Sequence, residues 1–504
     1  MVLGSLKQRF LNLKAAFALL IITQTLLFLS RTIADPDLWG YLAFGRLFWG
    51  RGHFPYLDVF AYVPTLNLWV YHEWLTGVLF YPIYQIMGGA GLQVLKYFFG
   101  LATVGLVYLT ARRRGSDPCP AALVLFATLP IISIGYGAVR AQVFTYFFFA
   151  ICLYLLEITR LTKQWYRLWL LVPIQIVWCN LHGGFLAGLG LVLLYAMGEA
   201  LARHTFRPYL LWFLLATAAT IINPYGLKYW SYLVHAITMP RPDITEWASI
   251  ITECRRGNLE PQEFYYCLAL IYAGFMMVWW ARWREVTPGL VLLVTLFLAV
   301  RHIRHLVFFG LAFEAYMPVL LTAYFQELRK RPGLMNWVPR LERKTPTLAM
   351  VVLLICLFSY RIANCNPLHL EIPSEPKSNR LIDLYYPVGA IDYIQRMHLS
   401  GKLLVNFNWG EYCLWKLYPQ CHIAIDGRYE TVYPQNVVKK YFNFLSTRKD
   451  WLKFLQEYPP DTILIDIRSH LYTRLSNDPH CRKLYTDSGC ALFSYQGKIS
   501  PGGL

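Results

Sequence analysis

The sequence predicts an α-helical polytopic membrane protein that ends in a small α/β domain, and three observations predict it. Hydrophobic residues make up 56% of the 504-residue chain and charged residues only 15%, where a soluble globular protein carries about a quarter. The apolar residues gather into runs of about 16 to 22, the length that crosses a hydrocarbon core as a helix. In the last part of the chain the pattern changes to short apolar strands alternating with helical stretches. Lipid satisfies no bare backbone polar group, so the long apolar runs must be helices.

About eleven spans follow from this reading. They lie near Ala15–Ile33, Gly91–Ala111, Ala121–Ile134, Val143–Ile158, Trp169–Leu181 and Phe185–Leu201. The others lie near Leu210–Ile222, Phe264–Trp280, Pro288–Val300, Leu306–Phe325 and Thr347–Tyr360. Lys7, Arg9 and Lys14 precede the first run. That run is long for a signal peptide and the cleavage context at Ala34 is poor, so it reads as an uncleaved span with its N-terminus inside.

Trp74–Met87 is short for a crossing, and counting it as one would leave Arg112, Arg113 and Arg114 outside. As an interfacial helix, it lets those arginines fall inside. The loops with Arg160, Lys163 and Arg167, with Arg203 and Arg207, with Arg282 and Arg284, and with Arg329, Lys330 and Arg331 then share that side. This placement accounts for much of the net charge of +18 and argues against nucleic acid as a partner.

The expected organisation is a transmembrane domain over residues 1–363, a first outer loop with juxtamembrane helices over 34–90, and an extracytoplasmic α/β domain over 364–504. In the outer loop Leu38–Trp49 reads as a helix, with Arg46 and Arg51 open to headgroups, before a turn at Gly50–Pro55. Expected tail strands are Lys402–Asn406, His422–Ile425, Thr462–Ile465 and Cys490–Tyr495. Helices are expected near Trp409–Leu417, Gln435–Leu445 and Trp451–Glu457, and the loops after strand ends, Asn406–Trp409 and Asp426–Arg428, are where such domains bind ligands. The eleven cysteines form no CxxC pair. Five lie in the tail, Cys365, Cys413, Cys421, Cys481 and Cys490, where an oxidising compartment would allow one or two disulfides.

With this orientation the unusual polar residues fall on the outer side. Asp35-Pro36-Asp37 follows the first span, and proline disfavours a helical residue before it, so the chain leaves the membrane extended. A carboxylate here suits a general base, while Asp37 is also placed to cap the Leu38 helix. His72 and Glu73 open the second interfacial helix. With the two aspartates they offer imidazole and oxygen donors to a divalent metal, or contacts to substrate, or a partner for the helix dipole. The sequence leaves a metal unknown.

Arg301, Arg304 and His305 stand at i, i+3 and i+4 and would share one helix face. These basic residues in a short outer turn suit a lipid phosphate, or ordinary headgroups reached by snorkelling. Arg140 follows the same reasoning. Asn180, His182 and Tyr225 end apolar runs and either line a cavity or hydrogen-bond between helices.

A carboxylate after the first span, a long first loop with interfacial helices and a soluble tail together resemble the GT-C superfamily of polyprenyl-phosphate-sugar-dependent glycosyltransferases. That superfamily includes the protein O-mannosyltransferases and the aminoarabinose transferase of lipid A. Asp35-Pro36-Asp37-Leu38-Trp39, His72-Glu73-Trp74, Asn180-Leu181-His182-Gly183-Gly184 and Asn223-Pro224-Tyr225-Gly226 look like a bacterial branch of it. Asn408-Trp409-Gly410-Glu411-Tyr412 and Asp426-Gly427-Arg428 look like that branch too.

The resemblance implies a multi-pass enzyme of the bacterial inner membrane that moves a hexosyl or pentosyl group with inversion. The donor would be a polyprenyl-phosphate-linked sugar and the acceptor a hydroxyl of a glycan, lipid or protein. Asp35 or Asp37 matches the first-loop acid that serves as base. Familiar members open the second interfacial helix with Lys-Pro, where this chain has His72-Glu73. The alternatives are a transporter of lipid-linked glycan, or a non-catalytic glycan-binding or assembly subunit. Neither an internal repeat nor a midplane charge cluster favours transport.

Overall fold

The structure is a computed structural model that describes residues 18–239, 247–256, 261–282, 285–330, 352–353, 355–360, 363–364, 366–376, 384–448 and 450–496. The chain forms two compact units. One gathers Met1–Thr32, Gly89–Leu227 and Thr238–His369, and the other Ile33–Gly88, Lys228–Ile237 and Leu370–Leu504.

The first unit is helical. Helices long and apolar enough to cross a bilayer occupy Trp74–Arg113, whose residues up to Gly88 belong to the second unit, Gln142–Thr162 and Ile303–Leu328. Shorter apolar helices occupy Ala18–Leu29, Pro118–Ile134, Phe185–Leu201, Tyr266–Ala281 and Val286–Arg301. Two further expected spans appear as helices of 11 and 13 residues, Leu171–Leu181 and Arg207–Ala219. Of the expected span Thr347–Tyr360, residues 352–353 and 355–360 are described, and they are helical. Near one end of the bundle, Glu157 accepts from Arg114, from Arg160 at 2.6 Å and from the Tyr195 hydroxyl at 2.6 Å. Arg114 and Arg160 also reach Glu285, at 3.0 and 2.6 Å. These two loop arginines are therefore bonded inside the protein, because the carboxylates compensate charge that would otherwise be buried unpaired.

The apolar run Trp74–Arg113 is broken at Gly88, whose φ of 60° and ψ of −150° leave helical space. Glycine reaches that conformation without a Cβ clash. The break falls at the junction expected between the interfacial helix and the following span. Pro82 inside the first part cannot donate to the Val78 carbonyl. The Trp49 indole N–H donates to that oxygen instead, at 3.1 Å, satisfying the group that proline leaves open.

The second unit is built on a five-stranded sheet of order β2-β1-β3-β5-β4. Its strands are β1 Gly401–Val405, β2 Cys421–Ile423, β3 Thr462–Asp466, β4 Cys481–Thr486 and β5 Cys490–Tyr495. β1 pairs in parallel with β2 and β3, while β5 runs antiparallel to β3 and β4. Four strands lie where apolar runs predict them. β4 escaped because it is a half-exposed edge carrying Arg482 and Lys483, and charge on an edge strand blocks further pairing while hiding its periodicity. The first loop joins the sheet: Ile423 donates to the Phe60 carbonyl at 2.9 Å, and Tyr62 to the Ile423 carbonyl at 3.1 Å. Cys413, Cys421, Cys481 and Cys490 are free thiols, so no disulfide forms among them, and Cys365 lies outside the described residues.

Helix Pro36–Arg51 of the same unit is buried along most of its length rather than lying open to headgroups. Helix Gly410–Leu417 packs on it, and the Arg46 guanidinium stacks 4.5 Å from the Trp415 ring; Arg51 alone of the two arginines is exposed. Gly45 meets the next helix backbone-to-backbone, and a methyl group there would strike the Gly77 carbonyl and Tyr81 Cβ. Gly45→Ala is expected to destabilise the protein by about 1–3 kcal/mol, measured as a lower thermal midpoint in detergent.

Candidate active site

The first helix of the second unit places the expected carboxylates. Asp35 is extended (φ −79°, ψ 148°) and Pro36 opens the helix at a position that needs no N–H. Asp35 Oδ1 accepts the Asp37 backbone N–H at 3.1 Å. The cap is thus Asp35, not Asp37, because proline's fixed φ starts the helix two residues earlier than the apolar pattern indicates. Asp37 lies in the first turn, where the helix dipole favours a negative charge.

Helix Gly410–Leu417 brings a third acid to these two. Glu411 is 4% exposed, and its Oε2 has no hydrogen-bond partner among the described residues. Its carboxyl lies against bare backbone: a methyl group on Gly40 would stand 2.6 Å from Oε2 and 2.8 Å from Oε1. Burial pushes the Glu411 carboxyl well above the ordinary glutamate range, helped by Asp37, then Asp426 and Asp35, with Arg428 opposing.

Below it lies a closed ionic knot. Arg428 donates to Asp426 through Nε at 2.9 Å and a terminal nitrogen at 2.6 Å, and to Asp58 at 2.7 Å. The Tyr433 hydroxyl adds a bond to Asp426 at 3.0 Å. The guanidinium lies 4.9 Å from both the Phe60 and the Trp69 ring centroids. Burial alone would lower the Arg428 pKa, but Asp426 and then Asp58 raise it well above the ordinary value. The knot fixes loop 426–428 to the first loop.

His72 and Glu73 lie at the start of the Trp74 helix, 3.9 Å apart. The His72 ring stacks on Tyr232, whose hydroxyl oxygen is 3.3 Å from Nδ1. Among the described residues, no group of three or more His, Cys, Asp or Glu is placed to hold a metal ion.

The remaining candidates belong to the first unit. His182 Nδ1 receives the Gly184 N–H at 2.9 Å and stands 2.8 Å from Thr145 Oγ1, which itself accepts from the Trp178 indole at 2.9 Å. Nδ1 is an acceptor here, so the ring proton sits on Nε2. Asn180 donates to the Ile176 and Ile222 carbonyls at 2.7 and 2.9 Å, joining two helix ends. Tyr225 is buried in a turn where Asn223 accepts its N–H at 2.8 Å. Arg140 is half-buried just before helix Gln142–Thr162.

Arg301, Arg304 and His305 do not share one helix face. Helix Val286–Arg301 ends at an extended His302 (φ −145°), and a short 3-10 turn carries the other two. The Arg304 guanidinium lies 4.5 Å from the Trp247 ring centroid, and Arg301 is exposed.

Glu411, Asp58 and the pairing of Asp426 with Arg428 had no assigned role in the sequence reading. Asp426 and Arg428 lie in a loop expected after a strand end, and Glu411 lies in the expected helix Trp409–Leu417. Asp58 carried no signal at all, since its partner lies 370 residues away.

No family model matches the chain, and no curated protein matches its sequence. Solved structures do match its fold. One is a crystal structure of the Archaeoglobus fulgidus oligosaccharyltransferase tethered with an acceptor peptide, at a TM-score of 0.54 and 13% identity over 89% of this chain and 68% of that one. Another is ArnT from Cupriavidus metallidurans bound to undecaprenyl phosphate, at a TM-score of 0.50 and 12% identity over 98% of this chain and 99% of that one. The chain shares the fold of these two proteins. Within this fold, Asp35 and Asp37 stand after the first apolar helix, and the tail supplies Glu411 beside them.

Proposed function

We propose that the protein is a membrane glycosyltransferase that moves a sugar from a polyprenyl-phosphate donor to an acceptor hydroxyl. The observation that carries this is the end-to-end match with ArnT, a structure bound to undecaprenyl phosphate, spanning 98% of this chain and 99% of that one. A chain of the GT-C fold with half-buried carboxylates after its first apolar helix fits that chemistry.

Asp37 is the base in this reading. Asp35 is committed to capping its own helix, whereas Asp37 is the nearest charged neighbour of the buried Glu411. Arg301 and Arg304, with Arg140, hold the donor phosphate as charge-assisted donors. The phosphate leaves as a stable anion, so a single displacement with inversion needs no acid on the leaving group. About eleven spans, a cytoplasmic N-terminus and an extracytoplasmic tail complete the proposal, with the bacterial inner membrane as its setting.

The test is a mass-spectrometric comparison of envelope glycolipids, glycoproteins and polysaccharide from cells with and without the protein. Loss of one saccharide in the deletion, restored by the wild-type gene, is the expected result. An unchanged saccharide profile overturns the reading. Accumulation of an intact lipid-linked sugar on one side of the membrane points to transport instead.

A further inference from the structure

In the first unit, the 3-10 turn Trp165–Leu170 and the start of helix Arg207–Ala219 frame an open groove of about 450 Å³. Trp165, Tyr166, Arg207, Pro208, Leu211 and Trp212 line it, which makes it an aromatic and aliphatic cleft with one exposed cation. The Trp165 ring stands edge-on against the buried Tyr209 ring, at 5.5 Å and 90°, so that wall is set before anything binds. Leu211, Leu214 and Leu215 stand at i, i+3 and i+4 and are all exposed, extending the groove as an apolar track along the helix.

Charge around the groove has one sign. From Lys163 to Trp212 the chain carries Lys163, Arg167, Arg203 and Arg207 against a single carboxylate, Glu199. Glu199 is buried and already engaged, by Thr287 at 2.7 Å, His204 at 3.4 Å and Lys163 at 3.9 Å. Arg203 and Arg207 are exposed, one in the loop before the helix and one at its start. We propose that this groove is the binding site of one anionic glycerophospholipid. Its phosphate accepts charge-assisted hydrogen bonds from Arg207 and Arg203, and an acyl chain follows Leu211, Leu214 and Leu215. Trp and Tyr, which form the walls, settle at headgroup level, and basic pockets between membrane helices favour anionic headgroups. A soluble anion gains nothing from an apolar floor, and a zwitterionic lipid brings its own ammonium against the arginines. Resting on the topology proposed above, these basic loops face the leaflet opposite the reacting donor, so the occupant is a resident phospholipid.

The experiment titrates the full-length protein in mild detergent with phosphatidylglycerol or with phosphatidylcholine of the same chains. Native mass spectrometry counts the bound lipid, and the thermal midpoint is followed in parallel. The wild type should retain one phosphatidylglycerol, with a rise in midpoint that phosphatidylcholine does not give. Arg207→Gln should weaken that binding about 5-fold, the worth of one cation beside an anionic lipid, and Arg203→Gln with Arg207→Gln about 30-fold. Leu211→Asp, at an exposed position one turn from Arg207, should abolish the preference, because its carboxylate repels the lipid phosphate. Arg282→Gln, which removes an exposed cation from another basic loop, should leave it unchanged.

Equal retention of the two lipids overturns the inference. So does an effect of Arg282→Gln as large as that of Arg207→Gln, which would mean diffuse attraction to the basic loops. Polyprenyl phosphate retained in preference to phosphatidylglycerol, and lost in Arg207→Gln, overturns it in favour of a second seat for the donor lipid. A midpoint raised as far by inorganic phosphate overturns it in favour of a free anion. Should the double variant fail to accumulate, Arg207→Gln and Leu211→Asp decide. The readout uses no glycosyl transfer, so its failure and the failure of the transferase reading are seen separately.

Discussion

Asp37→Asn is expected to lower glycosyl transfer by about 10²- to 10⁴-fold, the usual contribution of a positioned general base, with the protein folded and inserted. Asparagine keeps the volume and an acceptor oxygen at the first turn of the helix, so the packing of Trp39 and Gly40 beneath it is undisturbed. What disappears is the only feature that a base requires, a carboxylate able to take a proton. Asp35→Asn separates a second role. Asparagine caps a helix as well as aspartate does, so the 3.1 Å bond from the Asp37 N–H survives and stability should change by only a few tenths of a kcal/mol. Asp35→Ala, which removes the cap, should cost about 1 kcal/mol. Transfer rates and thermal midpoints of the three variants, measured on purified protein, check this. Wild-type transfer by Asp37→Asn would remove it as the base and leave Asp35 as the remaining first-helix carboxylate.

Arg428→Leu is expected to be the most damaging single change to the second unit, at about 3–5 kcal/mol. The guanidinium serves two buried carboxylates at once, Asp426 with two bonds and Asp58 with one. Its removal leaves both carboxylates buried without a cation, Asp426 keeping the Tyr433 hydroxyl and Asp58 the Phe60 and Ala61 N–H groups. Arg428→Lys should recover little, since one ammonium cannot reproduce the forked geometry. The double variant Asp58→Asn with Arg428→Leu should be less harmful than the sum of its parts, because the two residues form one interaction. Thermal unfolding of the four proteins in detergent gives this cycle, and additive effects would show that the knot is not a unit.

Much of the fold was legible because the bilayer and the sheet each impose a period. Apolar runs of membrane length read out helices such as Gln142–Thr162, and short β-rich runs read out β1, β2, β3 and β5. Asp35-Pro36-Asp37 was legible as an extended exit because proline restricts its neighbour. The details failed where local pattern and burial part company. The Arg301–His305 segment has helical spacing, yet His302 breaks it, and no periodicity within five residues could reveal that. Arg46 looked available to headgroups, because a sequence does not show that Trp415 covers it.

By itself, then, the sequence determined the class of the protein, most of its helices and strands, and two carboxylates worth suspecting. Each is a property of neighbouring residues in the chain: apolar length, alternation, or a proline beside an aspartate. Only the tertiary structure decided that the first loop, a stretch near residue 230 and the tail form one unit. It alone decided that Glu411 lies buried between Gly40 and Gly427, and that Asp58 meets Arg428 across 370 positions. The physical reason is that burial and long-range charge pairing are set by what packs against a residue. A period of 2 or 3.6 residues carries no information about which partner, far along the chain, will arrive there.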